Sequence, residues 1–281
     1  MLPPLDMLEC PVCRSPLAAE GGTLRCGEGH AFDVARHGYI NLLGGGAAAG
    51  TADTAEMVTA RESFLGARHY EHIAEALAAA IAGAVRGSTA PRVLDVGAGS
   101  GYYLAAVLDR MPAAAGLALD ISKYAARRAA RVHPHASAVV CDAWDRLPVA
   151  DASVSAVMSV FAPRNPAEFS RVLAKDGIVV TVTPTPRHLA ELIDAIGLIS
   201  VDDRKDERLE TSLGEHFARE ASRPLEAVMT LGHADVAALV DMGPSARHIA
   251  HAEREARIAR LPDPVKVTAS VNVAVWRRSR P

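Results

Sequence analysis

Aromatic side chains are scarce in this chain: Phe, Trp and Tyr make up only 4% of its 281 residues, although 49% of all residues are hydrophobic. A folded core must therefore consist mainly of Ala, Val, Leu and Ile. The net charge of −3 excludes a positive field over the whole chain for binding nucleic acid, and only a local basic patch is compatible with it.

The chain also lacks the signals of a membrane or secreted protein. No stretch reaches the ~18 consecutive apolar residues that a membrane-spanning helix requires. The first residues contain neither the basic region nor the apolar region of a secretory signal. We therefore expect a cytoplasmic protein with no membrane partner.

Cysteine is equally scarce, and its distribution is uneven. Four cysteines are too few for a disulfide scaffold at this length, yet three of them lie within the first 26 residues. Cys10 and Cys13 form a C-x2-C pair. After twelve residues, Cys26 and His30 form a C-x3-H pair. Two such pairs on tight turns provide the four ligands of a tetrahedral Zn²⁺ site, which leaves no open coordination position and makes the metal structural.

The sequence divides into three segments. Residues 1–43 are rich in turn-forming residues and have too little apolar surface to fold unaided, so zinc would supply folding free energy on the order of 10 kcal/mol or more. Residues 44–66 begin with a run of Gly and Ala that is typical of a flexible linker, and the chain becomes helical from about residue 52. Residues 67–281 are expected to form the larger domain.

Strands alternate with helices from residue 91 onward, which predicts a doubly wound α/β fold with a mostly parallel sheet. An alternating pattern over 265–276 predicts a late strand at or near the sheet edge. Cys141, alone in an apolar strand, is expected to be a small buried side chain. Strands are predicted over 92–96, 115–119, 137–141, 154–160 and 177–183, and helices over 70–85, 102–110 and 123–132.

Three glycines follow the first of these strands: Gly97, Gly99 and Gly101. They lie at the carboxyl end of a strand and just before a helix, which is where open α/β sheets bind ligands. The spacing differs from the dinucleotide fingerprint G-x-G-x-x-G, because Tyr102 occupies the position of the last glycine. The chain also lacks the phosphate-binding pattern G-x-x-x-x-G-K-[ST].

Acidic residues accompany the ends of three successive strands. Asp95 precedes the glycines and could neutralise a cofactor amino group. Asp120 ends the second strand, where a carboxylate accepts hydrogen bonds from both ribose hydroxyls, and Asp142 follows the third, where it could accept one from an adenine amino group. Together with the glycines they predict an S-adenosylmethionine site. The alternatives are an NAD enzyme, an inactive scaffold, or aspartates that merely cap helices.

These motifs, in this order, resemble those of the RlmA family of 23S ribosomal RNA (guanine-N1)-methyltransferases. The junction of the zinc segment with Gly-Tyr-Ile-Asn-Leu-Leu at 38–43 is highly specific, and two stretches, 160–166 and 242–245, resemble the tylosin-resistance branch most. The resemblance also rests on residues 10–13, 26–33, 56–61, 69–70, 95–103, 161–164 and 183–189.

The resemblance implies a class I methyltransferase fold with a small zinc-ribbon-like domain that helps dock RNA. It implies methyl transfer from S-adenosylmethionine to N1 of a guanine in hairpin 35 of 23S rRNA, near the macrolide site, where the product could confer macrolide resistance of the tylosin type. It further implies a homodimer whose cleft receives the hairpin. Among residues, it implies that the cofactor is contacted by Tyr70, Ser100, Gly101 and His188.

Basic residues are few where RNA binding would need them, because the first 46 residues contain three arginines against five acids. Arg164 and Asn165, in the loop after the fourth strand, are expected to position the substrate. Neither is a natural proton acceptor, and the sequence identifies no base for guanine N1. The weak charge keeps one alternative open, a biosynthetic small-molecule methyltransferase that retains the zinc module. A non-catalytic RNA- or protein-binding module is a further alternative, against which the complete set of acids and glycines argues. Other basic groups are Arg127, Arg128 and Arg131, expected as a solvated helix face, and Arg277, Arg278 and Arg280.

Overall fold

A computed structural model describes residues 4–44, 52–85, 87–198, 205–243 and 248–279. Most of the predicted glycine-rich linker, residues 45–51, therefore lies outside the described residues, as do Arg280 and part of the stretch 242–245. Within the described ranges, no helix combines the length and the apolar character needed to cross a membrane.

The described residues form eleven strands and nine α-helices. The strands are β1 (Leu17–Glu20), β2 (Thr23–Cys26), β3 (Ala31–Asp33), β4 (Ile40–Asn41), β5 (Arg92–Val96), β6 (Ala115–Asp120), β7 (Ala136–Val140), β8 (Val154–Val160), β9 (Leu173–Pro184), β10 (Phe217–Leu231) and β11 (Val265–Arg278). The helices are α1 (Ala55–Gly66), α2 (Glu71–Ala84), α3 (Tyr102–Arg110), α4 (Lys123–Ala129), α5 (Pro166–Val172), α6 (Ala190–Leu192), α7 (Lys205–Gly214), α8 (His233–Asp241) and α9 (His251–Ile258).

An eight-stranded sheet in the order β10-β11-β9-β8-β5-β6-β7-β4 forms the centre of the protein. The six strands β9, β8, β5, β6, β7 and β4, which are adjacent in this order, all pair in parallel. Strand β11 pairs antiparallel with both β9 and β10. The strand order reverses at β5, which has β6 on one side and β8 on the other. In doubly wound sheets this switch point opens a crevice at the carboxyl ends of the strands.

The predicted fold class is confirmed, and several elements match closely. Strands β5 and β8 and helix α3 have the predicted bounds, and the late strand, β11, lies next to the edge. The edge strand β10 was not predicted. Its fifteen residues are mostly exposed and include Pro224 and several charged side chains, and its first eight residues lack the apolar alternation by which strands are recognised.

The first residues of the chain pack on the sheet. Strands β1–β3 form a small antiparallel sheet, while β4 extends the large sheet beside β7. Leu8 forms an isolated antiparallel bridge with Val149, and Met7 O accepts a hydrogen bond from Ala150 N at 2.9 Å. Apolar residues of this segment share one core with those of α5, α7 and the sheet, so the segment covers part of one sheet face.

Helix α1 occupies the second half of the segment predicted as a linker. Thr54 caps its first turn by accepting a hydrogen bond from Met57 N at 3.3 Å, and Met57, Val58, Phe64 and Leu65 are buried. The helix packs against α4 and α8. The boundaries of the three predicted segments, 1–43, 44–66 and 67–281, stay predictions.

Candidate cofactor site and metal centre

The glycine loop between β5 and α3 has a backbone that other residues rarely adopt. Gly97, Gly99 and Gly101 have φ values of 74°, 56° and 82°. A Cβ atom on Gly97 would lie 2.5 Å from Cβ of Ala162, and one on Gly101 would lie 2.9 Å from Cγ1 of Val132. The loop after β8 and the segment after α4 therefore approach the glycine loop too closely for any side chain.

Two adjoining cavities open at the carboxyl ends of the strands on either side of this loop. The larger, of about 280 Å³, is lined by Asp120 and Asp142, and the smaller, of about 40 Å³, by Tyr70, Asp95 and Ser100. Both are lined by Arg61, Gly97, Gly99, Val160 and Phe161. The three predicted acids and the first two glycines thus come together around one divided hollow.

Asp120 is the best-fixed acid of the larger cavity. One carboxylate oxygen, Oδ2, accepts a hydrogen bond from Gly99 N at 2.8 Å, and the other, Oδ1, accepts one from Ser122 N at 2.8 Å. Burial raises the pKa of Asp120, and these two backbone donors oppose the rise. Asp142 lies beyond the end of β7, where its Oδ1 accepts a hydrogen bond from Trp144 N at 2.9 Å.

Asp95 is the most unusual acid, because it is buried and incompletely paired. Its side chain is 1% exposed, and among the described residues its Oδ2 has no hydrogen-bond partner. Burial, together with the charge of Asp120, raises the pKa of Asp95 to about 8. A cationic ligand in the smaller cavity would provide the missing partner and favour the ionised form.

Arg61 lines both cavities and was missed by sequence reasoning as a site residue. Its Nη2 donates to Asp53 Oδ2 at 2.7 Å and to the carbonyl oxygen of Met242 at 2.9 Å. Its Nε is buried and has no partner among the described residues. Its Cδ lies 3.2 Å from the position that a Cβ of Gly99 would take. The one sequence signal was its place in the stretch 56–61 that carries the family resemblance.

Tyr70 and His188 form a buried pair behind the smaller cavity. His188 Nδ1 accepts a hydrogen bond from Ser270 N at 3.1 Å, which places the proton of the neutral ring on Nε2. Nε2 lies 3.1 Å from the hydroxyl oxygen of Tyr70 and donates to it. Burial raises the pKa of Tyr70, so its hydroxyl keeps its hydrogen. The ring of Phe161 lies against both, with centroids 6.1 and 5.6 Å away.

Four predicted site residues are not among those that line the two cavities: Gly101, Arg164, Asn165 and His188. Gly101 is the N-cap of α3. Asn165 is the N-cap of α5, where its side-chain oxygen accepts a hydrogen bond from Glu168 N at 3.4 Å. Arg164 follows the cavity wall formed by residues 160–163, and its buried Nε lacks a partner among the described residues.

The four predicted metal ligands converge near the chain start. Their donor atoms all lie within 4.8 Å of one another. Cys26 Sγ is 3.3 Å from His30 Nδ1 and 3.5 Å from Cys13 Sγ, and Cys10 Sγ is 3.6 Å from His30 Nδ1. Zinc–ligand bonds of about 2.0–2.3 Å give tetrahedral edges of about 3.3–3.8 Å, so the donor set fits Zn²⁺ in both geometry and chemistry. The fourth cysteine, Cys141, is buried as predicted and lines the larger cavity.

Known structures and domain families agree with this architecture. Residues 8–44 match the zinc-ribbon family described as RlmA, N-terminal, and residues 93–177 match a methyltransferase domain family. The crystal structure of the MccD protein superimposes with a TM-score of 0.51 at 17% identity, covering 73% of this chain and 97% of that one. The crystal structure of a provisionally assigned methyltransferase from Bacillus halodurans superimposes with a TM-score of 0.52 at 15% identity, covering 73% of this chain and 99% of that one.

The fold and the site define a class I S-adenosylmethionine-dependent methyltransferase that carries an N-terminal zinc ribbon. A provisionally named 23S rRNA (guanine-N1)-methyltransferase from Micromonospora griseorubida is 50% identical, covering 97% of this chain and 98% of the relative. The 23S rRNA (guanine(748)-N(1))-methyltransferase from Streptomyces fradiae is 45% identical, covering 96% of each chain. The chain belongs to the family of 23S rRNA (guanine-N1)-methyltransferases, and the family and cofactors predicted from the sequence are confirmed.

The metal centre predicts the zinc content of variants. We expect the purified protein to contain about one zinc per chain. Cys26→Ser removes one of four ligands, so we expect it to lose zinc and to unfold at a clearly lower temperature, because metal binding supplies folding free energy. Cys141→Ala is the matched control and should keep its zinc. Elemental analysis with thermal melting measures both, and equal zinc content in the two variants would contradict the assignment.

The raised pKa of Asp95 predicts that the cofactor-free protein loses folding stability as the pH rises. Its folded pKa of about 8 lies above the ~3.9 of an unfolded chain, so its contribution to stability is complete below pH ~4 and is lost as pH rises toward 8. Asp95→Asn does not titrate, so we expect it to gain on the wild type by up to ~1.4 kcal/mol per pH unit in this window. Urea unfolding from pH 4 to 9 measures the difference, and a difference independent of pH would refute the expectation.

Proposed function

We propose that this protein transfers the methyl group of S-adenosylmethionine to N1 of a guanine in hairpin 35 of 23S rRNA. We further propose that it acts in the cytoplasm as a homodimer whose cleft receives the hairpin, and that the product protects ribosomes from tylosin-type macrolides. The observation that carries the proposal is the set of three acids around the glycine loop, joined in one chain to an RlmA-type zinc ribbon. The relative from Streptomyces fradiae, whose name specifies N1 of guanine 748, supports the choice of atom.

The larger cavity would hold the adenosine part of the cofactor. Asp120, fixed by its two backbone donors, retains lone pairs that can accept hydrogen bonds from ribose hydroxyls, and Asp142 can accept one from the adenine amino group. The side-chain-free backbone of Gly97 and Gly99 permits close approach between the two cavities. Ser100 and Gly101 would complete this backbone cradle at the start of α3.

The smaller cavity would hold the charged amino-acid end. Asp95 would pair with the ammonium group and Arg61 with the carboxylate, which gives a partner to each of the two orphaned buried atoms. S-adenosylmethionine supplies a methyl group that is already activated on a sulfonium, so the residues need only align the reactants and exclude water. Tyr70, held by His188, would close this end of the cavity.

The target guanine must leave its base stack before N1 can reach the methyl group. Phe161 borders both cavities and is 38% exposed, so its ring can stack on the extruded base. Attack by N1 on the methyl carbon would break the carbon–sulfur bond, whose electrons would go to sulfur, and the N1 proton would pass to a proton acceptor. Arg164, which follows the cavity wall formed by residues 160–163, would position the target guanine. Asn165 would hold this loop in place by capping the first turn of α5.

The decisive experiment is methylation of RNA. We expect the protein to transfer label from S-adenosylmethionine to a transcript of 23S domain II. Because N1 lies on the Watson–Crick edge, reverse transcription should stop at the methylated guanine. Asp120→Asn should weaken cofactor binding and labelling together. Cofactor binding without labelling of either naked or ribosomal RNA would overturn the proposed substrate.

Arg61 makes the cofactor assignment testable atom by atom. We expect Arg61→Gln to weaken binding of S-adenosylmethionine by roughly 10- to 100-fold, as the loss of a charge-assisted hydrogen bond predicts. The same variant should bind decarboxylated S-adenosylmethionine, which lacks only the carboxylate, within about two-fold of the wild type. Arg61→Lys keeps the positive charge and should recover part of the affinity for S-adenosylmethionine that Arg61→Gln loses. Isothermal titration calorimetry measures all three, with Arg110→Gln on the exposed end of α3 as control. Equal weakening for both ligands would assign Arg61 a structural role instead.

A further inference from the structure

Helix α4 has two opposite faces. Ala125, Ala126 and Ala129 are buried toward the sheet, whereas Lys123, Tyr124, Arg127 and Arg128 are exposed, as is Arg131 just beyond the helix. Positions 123 and 127 are four residues apart and so lie on one side of the helix, and Arg131 follows in the turn after it. The outer surface of α4 therefore carries a row of cations beside one aromatic ring, that of Tyr124, which is 42% exposed.

The zinc ribbon extends this row. His37 Nδ1, in the turn between β3 and β4, lies 2.8 Å from Arg131 Nη2. Arg36, beside His37, is exposed. Burial and the positive charges of Arg127, Arg131 and Arg36 lower the pKa of His37. The ribbon, poor in basic residues by sequence, contributes Arg36 to a surface that is completed by α4. We call Lys123, Tyr124, Arg127, Arg128, Arg131 and Arg36 the α4 face.

The cations of the α4 face are largely uncompensated. Glu62 pairs with Arg128 at 3.1 Å, whereas Arg36, Arg127 and Arg131 form no ion pair with an acid of the described residues. The basic residues near the end of the chain differ, because Arg277 pairs with Glu220. A cavity of about 320 Å³ opens between α4, α1 and the start of α3, lined by the three arginines of the α4 face that follow Tyr124.

The α4 face begins beside the cofactor site. Ser122, the N-cap of α4, donates its backbone N–H to Asp120, the acid proposed to bind ribose. Ser100 of the glycine loop lines both the arginine cavity and the smaller cofactor cavity. The α4 face thus connects the carboxyl edge of the sheet, where the reaction would take place, with the zinc ribbon.

We propose that the α4 face binds backbone phosphates of the substrate RNA, with Tyr124 available to stack on a base. The inference rests on the proposed function, and it specifies which surface of the chain holds the RNA. A protein with a net charge of −3 needs a local cationic surface to offset its repulsion of RNA. The guanidinium groups of Arg36, Arg127 and Arg131, which form no ion pair with an acid of the described residues, provide one. Guanidinium groups bind phosphate in a bidentate manner, and an aromatic ring adds sequence-tolerant stacking.

The test is the salt dependence of RNA binding by the triple variant Arg36→Gln/Arg127→Gln/Arg131→Gln. We expect its Kd for a hairpin 35 transcript to rise roughly 10-fold or more. The slope of log Kd against log salt should fall by about 2–3, since each lost phosphate contact removes about 0.7–0.9. Affinity for S-adenosylmethionine, zinc content and kcat at saturating RNA should stay unchanged. The corresponding triple Lys variant should recover most of the salt slope, because it keeps the charge.

The control removes the same charge elsewhere: Arg110→Gln/Arg223→Gln/Arg260→Gln, three arginines exposed on other elements. It should change the salt slope by well under one. Equal effects of the two triple variants would overturn the inference, because only net charge would then matter. A triple variant of the α4 face that alters the oligomeric state and leaves the salt slope unchanged would also overturn it, and would assign this surface to contact between copies of the chain. Failure of the proposed function is separate, since the wild type would then not methylate RNA at all.

Discussion

The carboxylate of Asp120 joins the glycine loop to the first turn of α4, and both the cofactor site and the α4 face depend on it. One oxygen holds Gly99 N and the other holds Ser122 N, each at 2.8 Å. The first bond fixes the bend between β5 and α3, and the second fixes the start of the helix that carries the cationic row. Charge-assisted bonds to backbone donors are strong and directional, which explains how a carboxylate can remain at a buried strand end. The position of the cofactor site and the course of α4 are therefore set together.

The sequence predicted the parts of the fold whose patterns are local. Strands β5 and β8 are mainly apolar runs, and α3 begins directly after the last glycine of the loop, so their bounds could be read from neighbouring residues. Edge strand β10 could not be read in this way, because residues 218–224 are all exposed and include Pro224, a residue type that strands rarely contain. Only its long pairing with β11, which lies more than thirty residues away in the chain, makes it a strand.

The same distinction between local and distant signals applies to the site. Asp95, Asp120 and Asp142 were predicted because parallel strands place their carboxyl ends at one edge, so that one rule locates all three. Arg61 obeys no such rule. It reaches the hollow from α1 and is held by the carbonyl oxygen of Met242, which is 181 residues away in sequence. Such a contact depends on the packing of α1 against α8, and no local pattern encodes it.

The charges around the hollow explain why the glycine loop suits one class of cofactor. Asp95, Asp120 and Asp142 form an acidic rim, and Arg61 adds one cation where the two cavities meet. The pyrophosphate of a dinucleotide would bring two negative charges toward these acids at low dielectric, which is unfavourable. A ligand with an ammonium, a sulfonium and a single carboxylate would instead meet opposite charges at each end. The burial that raises the pKa of Asp95 thus costs the empty protein stability and, through the same electrostatics, favours a cationic methyl donor over a nicotinamide dinucleotide.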